Sequence, residues 1–375
     1  MFGASIWPAP VRSGSAANPL QEVFCKKNSK FFAIQIFCTI SESGYRESSA
    51  GLGEFVAALQ ANQLFEYAGN PIPSGAQMRN LTTADGVKLR AALWPARFIS
   101  RAGTVVLCQG RSEFIEKYFE VIEEFLQRGF TVVAFDWRGQ GGSQRPLPNP
   151  RKGHVDHFGL FWHDIAALER DILTPDCPKP WAALGHSMGG AILLDMAGNG
   201  KSVFERLILT APMIDLFAVR NPKTARFLAA ALNFIGLGGN YAPGGGDTFG
   251  NTLPFSGNLL TSDPLRYARS ADILAKFPQI GIGHPTVGWI HAAFQVMDKL
   301  MQPEFPRRTY TPTLILGAGA DHVVRLEAIE AFAHRLKAGR LIILPHCEHE
   351  ILVERDPFRA QFWAAVDAFL PNAAS

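Results

Sequence analysis

The chain has 375 residues, of which 47% are hydrophobic and 18% are charged. This length and composition predict one large α/β domain with an insertion, or two domains, and they exclude global disorder. Because 36 basic residues nearly balance 33 acidic ones, for a net charge of +3, we expect no nucleic-acid partner.

The cysteines are odd in number and scattered, without the paired spacing of a zinc site. They are Cys25, Cys38, Cys108, Cys177 and Cys347. This pattern argues against a disulfide framework, so we expect free thiols in a reducing cytoplasm and no bound metal.

Residues 1–62 differ from the rest and are rich in Ser, Ala and Phe, so we predict a poorly ordered N-terminal extension. Within it, residues 31–40 form an apolar run that follows three lysines. The run is too short to cross a bilayer, and residues 41–44 do not resemble a signal-peptide cleavage site. We therefore expect neither a membrane span nor a secretion signal.

Ordered structure is predicted to begin near residue 63 with a β-hairpin. Residues 78–83 and 87–94 are typical of strands, and Ala84-Asp85-Gly86 between them is a strong hairpin-turn signal.

Strands and helices then alternate along the chain. The sequence predicts strands at 104–108, 131–137, 181–184, 207–210, 313–316 and 340–344, and helices at 116–128, 165–173, 191–197, 326–336 and 357–370. This alternation predicts an α/β fold with a mostly parallel, doubly wound sheet and helices on both faces.

The alternation stops between the sixth and seventh predicted strands. We predict that residues 63–214 and 309–375 form the core, and that 215–308 form a helical cap inserted after the sixth strand. The cap would lie over the carboxyl ends of the strands, where open α/β sheets bind ligands.

The motif Gly185-His186-Ser187-Met188-Gly189 lies between a predicted strand and a predicted helix. In this context, G-x-S-x-G forms a sharp turn that raises the serine hydroxyl above the sheet edge. The turn also leaves the next backbone N–H free to hold an oxyanion. We therefore predict that Ser187 is a catalytic nucleophile and that His186 has a packing role.

An activated serine needs a histidine base and a carboxylate that orients the base, and in such sheets the chain order is Ser, acid, His. Asp321 and His349 lie in loops after the last two predicted strands. They complete the predicted triad with Ser187, with Asp215 as the rival acid and His346 as the rival base.

The oxyanion hole requires two backbone donors. We predict Met188 N–H, directly after the nucleophile, and Arg111 N–H, in the loop after the strand at 104–108. For the Arg111 side chain we expect a structural salt bridge, with phosphate binding as the alternative.

Several motifs in this order resemble α/β-hydrolases of the lysophospholipase L2 and monoglyceride-lipase group. The motifs are Cys-Gln-Gly-Arg-Ser-Glu at 108–113 with Lys-Tyr at 117–118, Asp-Trp-Arg-Gly-Gln-Gly-Gly-Ser at 136–143, Leu-Gly-His-Ser-Met-Gly-Gly at 184–190, Asn-Leu-Leu-Thr-Ser-Asp-Pro-Leu-Arg-Tyr at 258–267 and His-Glu-Ile-Leu-Val-Glu at 349–354. The resemblance runs from about residue 63 to residue 369, and it favours Asp321 and His349 over their rivals. One departure is Gln109, where many monoglyceride lipases carry His.

The resemblance implies an α/β-hydrolase fold with a lid and no cofactor. The implied function is hydrolysis of the carboxylic ester of a lysophospholipid or monoacylglycerol. Two alternatives stay open: an aminopeptidase of the proline-iminopeptidase kind and a non-catalytic binding protein of the same fold. An aminopeptidase needs an acidic cluster near the cap to hold the substrate amine, and the cap sequence is not notably acidic.

The cap is rich in Phe, Leu and Ala. This composition predicts an apolar acyl-chain tunnel or a surface for transient membrane contact, although ordinary packing accounts for most single residues. Arg266, Trp289 and His291 are candidates for a polar head group. We expect a cytoplasmic enzyme, either free or peripheral at the membrane.

Overall fold

A computed structural model describes residues 63–97, 102–217, 219, 221–250 and 254–370. The predictions for residues 1–62, including the apolar run at 31–40, lie outside the described residues. Three of the five cysteines are described, Cys108, Cys177 and Cys347, and none of these three is in a disulfide.

One eight-stranded sheet organises the described part of the chain. The strands are β1 (Gln77–Thr82), β2 (Lys88–Trp94), β3 (Thr104–Cys108), β4 (Thr131–Phe135), β5 (Trp181–His186), β6 (Arg206–Thr210), β7 (Thr313–Ala318) and β8 (Gly339–Leu344). Their spatial order is β1-β2-β4-β3-β5-β6-β7-β8. The β1–β2 and β2–β4 pairs are antiparallel and the other neighbours are parallel, which confirms the predicted mostly parallel sheet.

The principal helices alternate with these strands. They are α1 (Phe119–Gln127), α2 (Phe161–Leu168), α3 (Met188–Gly198), α4 (Pro222–Leu232), α5 (Pro264–Lys276), α6 (Val287–Leu300), α7 (Leu326–Ala333) and α8 (Asp356–Phe369). Short 3-10 turns lie at Ile115–Tyr118, Phe158–Leu160, Pro278–Ile280, Pro306–Arg308 and Ile351–Val353. Helix α2 continues through a π-helical turn, Glu169–Leu173, and a last helical turn, Thr174–Asp176, and α4 continues through a π-helical turn, Asn233–Leu237.

Both faces of the sheet are covered, so the central strands are buried on both sides. Helices α1 and α8 cover one face, where the Phe125 ring packs edge-on against Trp363 with centroids 4.9 Å apart. Helices α2, α3 and α7 cover the other face through side chains such as Phe161 and Ile192. All residues of β3, β4 and β5 are buried, and β3 and β5 lead directly into two loops of the candidate site, residues 109–112 and the turn at Ser187.

Most predicted boundaries differ from the structure by a few residues, among them the end of β4 and the start of α1. The predicted strand at 131–137 ends at Phe135: Asp136 N–H still donates to the Arg90 carbonyl at 2.9 Å, but the chain then turns, and the Trp137 carbonyl accepts Gln140 N–H at 3.0 Å. The helix predicted to begin at residue 116 begins at Phe119, after the 3-10 turn.

Helices α4, α5 and α6 lie between β6 and β7, where the cap is predicted. The end of α6 packs on the core: Met297 and Leu300 are fully buried, and Lys299 Nζ lies 2.6 Å from Asp195 Oδ1 on α3. None of the described helices combines the length and the apolar character needed to cross a bilayer. The division at residues 215 and 308 stays a prediction.

Candidate active site

Ser187 occupies a sharp turn between β5 and α3. Its backbone has φ +46° and ψ −108°, which is a strained conformation for a residue with a side chain. The turn needs glycine on both sides. A Cβ atom at Gly185 would lie 2.7 Å from Leu193 Cδ1, and one at Gly189 would lie 2.0 Å from the Cys108 carbonyl oxygen. The predicted elbow thus has the backbone that projects a serine hydroxyl out of the sheet.

The structure brings Asp321 and His349 together at the carboxyl ends of β7 and β8. His349 Nδ1 lies 2.7 Å from Asp321 Oδ2, and both side chains are almost wholly buried. Asp321 Oδ1 accepts the backbone N–H groups of Val323 at 2.7 Å and Val324 at 2.9 Å. The carboxylate is therefore fixed in orientation and offers its second oxygen to the histidine.

Burial alone would raise the pKa of Asp321. The charge and the hydrogen bond of His349, together with the two backbone donors, outweigh burial, so the pKa of Asp321 lies below its ordinary value. An ionised carboxylate at this position orients the His349 ring.

The His349 ring lies beside His186, the residue that precedes the elbow serine, with ring centroids 4.9 Å apart. Among the described residues, no hydrogen bond joins the Ser187 hydroxyl to this ring. Such contacts are often looser before a substrate is bound. The direct contact between Ser187 and His349 stays a prediction.

The rival acid and base lie in other environments. Asp215 Oδ2 lies 3.1 Å from Arg325 Nε, and its Oδ1 lies 3.8 Å from Arg226 Nη2. His346 is exposed and has a positive φ of +61°, as expected for a loop residue. The Asp321–His349 geometry therefore favours these two residues over the rivals.

The loop of residues 109–112, after β3, is held in place by hydrogen bonds of its backbone. Trp137 Nε1 donates to the Gln109 carbonyl at 2.9 Å, and Gln140 Nε2 donates to the Gly110 carbonyl at 3.0 Å. Gly110 N–H donates to Glu113 Oε2 at 2.5 Å. We call residues 109–112 the oxyanion loop, after their predicted role.

The two predicted oxyanion donors remain available in the described part of the chain. Arg111 N–H is not used in any hydrogen bond there. Met188 is the first residue of α3, where the helix itself supplies no acceptor for an N–H group. Their convergence on one oxyanion stays a prediction.

A buried charged cluster, which the sequence reasoning did not assign, lies beneath the oxyanion loop. Lys117 Nζ bridges Glu113 Oε1 at 2.8 Å and Glu350 Oε1 at 2.6 Å, and the Tyr118 hydroxyl donates to Glu113 Oε2 at 2.6 Å. Because Glu350 follows His349 directly, the cluster joins the oxyanion loop to the loop of the predicted base. The only sequence signal was the place of residues 113, 117, 118 and 350 in the family motifs.

The charges of this cluster compensate one another. Burial raises the pKa of Glu113, but the charges of Lys117 and His186 outweigh burial and hold it well below its ordinary range. Ligand-type atoms of Glu113, His186 and Glu350 lie within 4.8 Å of one another, as in a metal site. The Lys117 ammonium supplies the positive charge between the two carboxylates.

Two expectations for arginine side chains are corrected. Arg266, a candidate for a head group, is satisfied by carboxylates: its guanidinium lies 2.6 Å from Glu120 and 2.7 Å from Asp356. The prediction of a salt bridge for Arg111 is wrong: no carboxylate of the described residues pairs with it. Its guanidinium runs toward the cap, where Nη2 donates to the Gly283 carbonyl at 2.8 Å and the Trp289 ring lies 5.1 Å away.

Comparison with known proteins identifies the family of this chain. Residues 100–356 match the family described as serine aminopeptidase, S33. Lysophospholipase L2 of Escherichia coli K12 is 32% identical over 298 residues, covering 77% of this chain and 86% of that protein. The monoacylglycerol lipase of Mycolicibacterium smegmatis is 30% identical over 275 residues, covering 72% of this chain and 88% of that protein.

The fold has solved counterparts as well. A soluble variant of monoglyceride lipase from Saccharomyces cerevisiae superposes with a TM-score of 0.63 at 21% identity, covering 83% of this chain and 99% of that one. A carboxyl esterase from Bacillus coagulans also gives 0.63, at 19% identity, covering 79% of this chain and 98% of that one. The chain therefore belongs to the S33 serine aminopeptidase family and has the α/β-hydrolase fold.

Proposed function

We propose that the protein is a carboxylic ester hydrolase that cleaves lysophospholipids or monoacylglycerols through an acyl-serine intermediate. The observation that carries the proposal is the buried His349–Asp321 pair beside the strained Ser187 elbow. The names of the relatives, lysophospholipase L2 and monoacylglycerol lipase, support a single-chain lipid ester as the substrate.

In the first half-reaction, the Ser187 hydroxyl attacks the acyl carbonyl carbon and its proton passes to His349. Since Asp321 occupies Nδ1, the ring nitrogen that takes the proton is Nε2. The carbonyl oxygen becomes an oxyanion and accepts hydrogen bonds from Met188 N–H and Arg111 N–H. The intermediate collapses, and the glycerol oxygen leaves with the proton from His349.

In the second half-reaction, water attacks the acyl-serine carbonyl and transfers a proton to His349. The second tetrahedral intermediate expels the Ser187 oxygen, which recovers that proton, and the fatty acid leaves. Asp321 keeps the ring oriented through both steps and stabilises its charged form. No group in this sequence of steps needs a cofactor.

The charges beside the cap argue against the aminopeptidase alternative. That activity needs carboxylates to hold a cationic substrate amine. Here Arg111 and Arg145 reach from the core loops to the cap backbone, at the Gly283 and Gln279 carbonyls. Positive charge in this position repels an amine and suits an uncharged or anionic substrate.

The cap also offers an apolar surface. On α4 and its π-helical turn, Phe227, Phe234 and Ile235 are exposed by 75%, 91% and 65%. Exposed groups of large apolar side chains mark interaction surfaces. We infer that this surface touches the membrane interface, where single-chain lipids reside, and that the enzyme is cytoplasmic and peripheral rather than membrane-spanning.

A hydrolysis panel tests the proposed function. It contains 1-oleoyl lysophosphatidylcholine, monoolein, p-nitrophenyl butyrate and proline anilide, with Ser187→Ala as the control. We expect hydrolysis of at least one lipid ester and a loss of about 10⁶-fold in turnover in the variant. Preferred cleavage of proline anilide would support the aminopeptidase, and absence of fluorophosphonate labelling at Ser187 would support the non-catalytic alternative.

A further inference from the structure

Two arginines at the boundary between core and cap have no carboxylate partner. We call Arg111 and Arg145 the boundary arginines. Arg111 donates to Ser112 Oγ and to the Gly283 carbonyl, both at 2.8 Å. Arg145 Nη2 donates to the Gly141 carbonyl at 2.6 Å and to the Gln279 carbonyl at 3.5 Å. Within the described residues, neither guanidinium has a carboxylate oxygen within the 4.0 Å of an ion pair.

Two buried arginines of the core, Arg90 and Arg138, are paired with acids. Arg90 lies 2.7 Å from Glu116 and 2.6 Å from Asp136. Arg138 lies 2.7 Å from Asp164. Asp136 attracts Arg145 from a longer distance, but this carboxylate is already paired with Arg90. The boundary arginines therefore differ from the structural arginines of the core.

Several donors of the boundary arginines are also unused. Arg111 Nε and Arg145 Nε and Nη1 are buried and have no hydrogen-bond partner in the described residues. Burial lowers the pKa of Arg111 to about 10 and that of Arg145 to about 9. An uncompensated, partly desolvated cation is costly, so its presence calls for a role that offsets the cost.

The position of these side chains relates them to the candidate site. Arg111 belongs to the oxyanion loop, and its own backbone N–H is a predicted oxyanion donor. Gln140 connects this loop to the loop that carries Arg145, donating to the Gly110 carbonyl and accepting from Ser112 N–H at 3.2 Å. Both guanidinium groups donate to backbone carbonyls of the predicted cap, at Gly283 and Gln279, so both lie where the core loops meet it.

We propose that the boundary arginines bind the phosphate of the substrate head group and make the enzyme selective for lysophospholipids over monoacylglycerols. This inference rests on the proposed function. A guanidinium presents its donors in a planar fork that matches two phosphate oxygens. A phosphate also supplies a negative charge to arginines that no carboxylate of the described residues pairs with. A neutral glycerol head group offers neither.

The main alternative is a structural role, in which the two arginines only hold the cap through backbone carbonyls. The two roles predict different results. Loss of a phosphate contact lowers kcat/KM for the phosphate-bearing substrate more than for the neutral one. Loss of a structural contact lowers both equally and reduces the melting temperature.

The experiment compares 1-oleoyl lysophosphatidylcholine with monoolein in the same nonionic mixed micelles, so that the acyl chain and the surface are matched. The variants are Arg111→Met, Arg145→Met and Arg111→Lys. Arg97→Met is the control, because Arg97 is an exposed arginine paired with Glu123. We expect the kcat/KM ratio of the two lipids to fall about tenfold or more in both methionine variants. The ratio in Arg97→Met should equal that of the natural protein. The ratio in Arg111→Lys should lie between those of the natural protein and Arg111→Met, because lysine keeps the positive charge but lacks the planar pair of donors.

A second measurement avoids micelles. The rate at which a neutral fluorophosphonate labels Ser187 is measured in the presence of sn-glycerol 3-phosphate as a competitor. Sodium chloride at equal ionic strength is the control. Glycerol 3-phosphate should slow the labelling of the natural protein and have several-fold less effect in the methionine variants.

An unchanged lipid ratio, or equal losses on both lipids, would overturn the phosphate site while leaving the proposed function intact. If the natural protein cleaves neither lipid although Ser187 is labelled, the proposed lipid substrates fail. The labelling competition then decides the phosphate site by itself. If Ser187 is not labelled at all, both proposals fail.

Discussion

The core near the candidate site and the boundary with the predicted cap differ in whether their buried cations are paired with carboxylates. In the core, Lys117 and Arg90 each lie within 2.8 Å of carboxylates from two different residues. At the boundary, Arg111 and Arg145 donate to backbone carbonyls and to one serine hydroxyl. Paired charges join the loops that carry the predicted catalytic groups, whereas the boundary arginines keep an unpaired charge that, on our proposal, binds the substrate phosphate.

Apolar side chains show the same contrast between the two regions. The central strands β3, β4 and β5 are buried throughout, while α4 and its π-helical turn expose Phe227, Phe234 and Ile235. A folded core gains stability by hiding such groups from water. Leaving them exposed on the cap is consistent with a surface that meets lipid rather than one that stabilises the fold.

After loss of the nucleophile itself, the largest effect is expected in the core, at the predicted acid. Asp321→Asn keeps the shape of the side chain but favours the wrong tautomer of His349, so turnover should fall about 10⁴-fold. KM should change little, and the melting temperature should show that the variant is folded. Activity within tenfold of the natural protein would assign the acid to another residue, and Asp215→Asn is the matched variant for that case.

The contrast between paired and unpaired arginines predicts different stabilities. Arg90→Met leaves the Glu116 and Asp136 carboxylates buried without their cation, and should lower the free energy of unfolding by about 3–5 kcal/mol. Arg145→Met removes a cation that has no such partner, and should change stability by less than about 1 kcal/mol. Urea denaturation measures both, and equal losses would contradict the distinction.

A smaller effect is expected at the cluster that supports the oxyanion loop. Glu113→Gln weakens the acceptor of Gly110 N–H and removes a partner of Lys117, so the oxyanion donors lose their fixed position. We expect kcat to fall about 10²-fold with KM within a few-fold, because an oxyanion contact acts in the transition state. Glu123→Gln, at an exposed glutamate, is the control. A rise in KM with unchanged kcat would contradict this positioning role.

The smallest effect is expected on the outer surface of the cap. Phe234→Glu puts a charge at a side chain that is 91% exposed, so the fold should not suffer. Hydrolysis of monoolein in vesicles should fall several-fold through weaker membrane binding, while hydrolysis of soluble p-nitrophenyl butyrate should stay constant. Co-sedimentation with vesicles measures membrane binding directly. Unchanged co-sedimentation of Phe234→Glu would contradict the inference that the cap surface binds the membrane.

Much of the fold was predictable because its signals are local. Strand and helix periodicity, the Asp-Gly turn and the glycine-flanked serine each lie within a short stretch of chain. The positions of Asp321 and His349 followed from the rule that loops after parallel strands meet at one edge of the sheet. Their 2.7 Å contact is the strongest agreement between sequence and geometry.

The features that sequence reasoning missed depend on contacts between distant segments. Lys117 meets Glu350 across 233 positions of chain, and no local pattern encodes that pairing. The end of β4 was misplaced because the apolar pattern continues to Trp137, whereas the chain turns there and the Trp137 carbonyl accepts Gln140 N–H. The salt bridge expected for Arg111 failed because the Gly283 carbonyl that receives its donor lies 172 positions away.

Trapping of the covalent intermediate is the most direct test of the proposed acyl-serine mechanism at Ser187. The natural protein is mixed with 1-oleoyl lysophosphatidylcholine or monoolein, quenched in acid within the first turnovers and digested for peptide mass measurement. We expect an oleoyl group on the peptide that contains Ser187, and no such group in Ser187→Ala. Release of oleate without any acyl group on Ser187, or with the group on another residue, would contradict this mechanism.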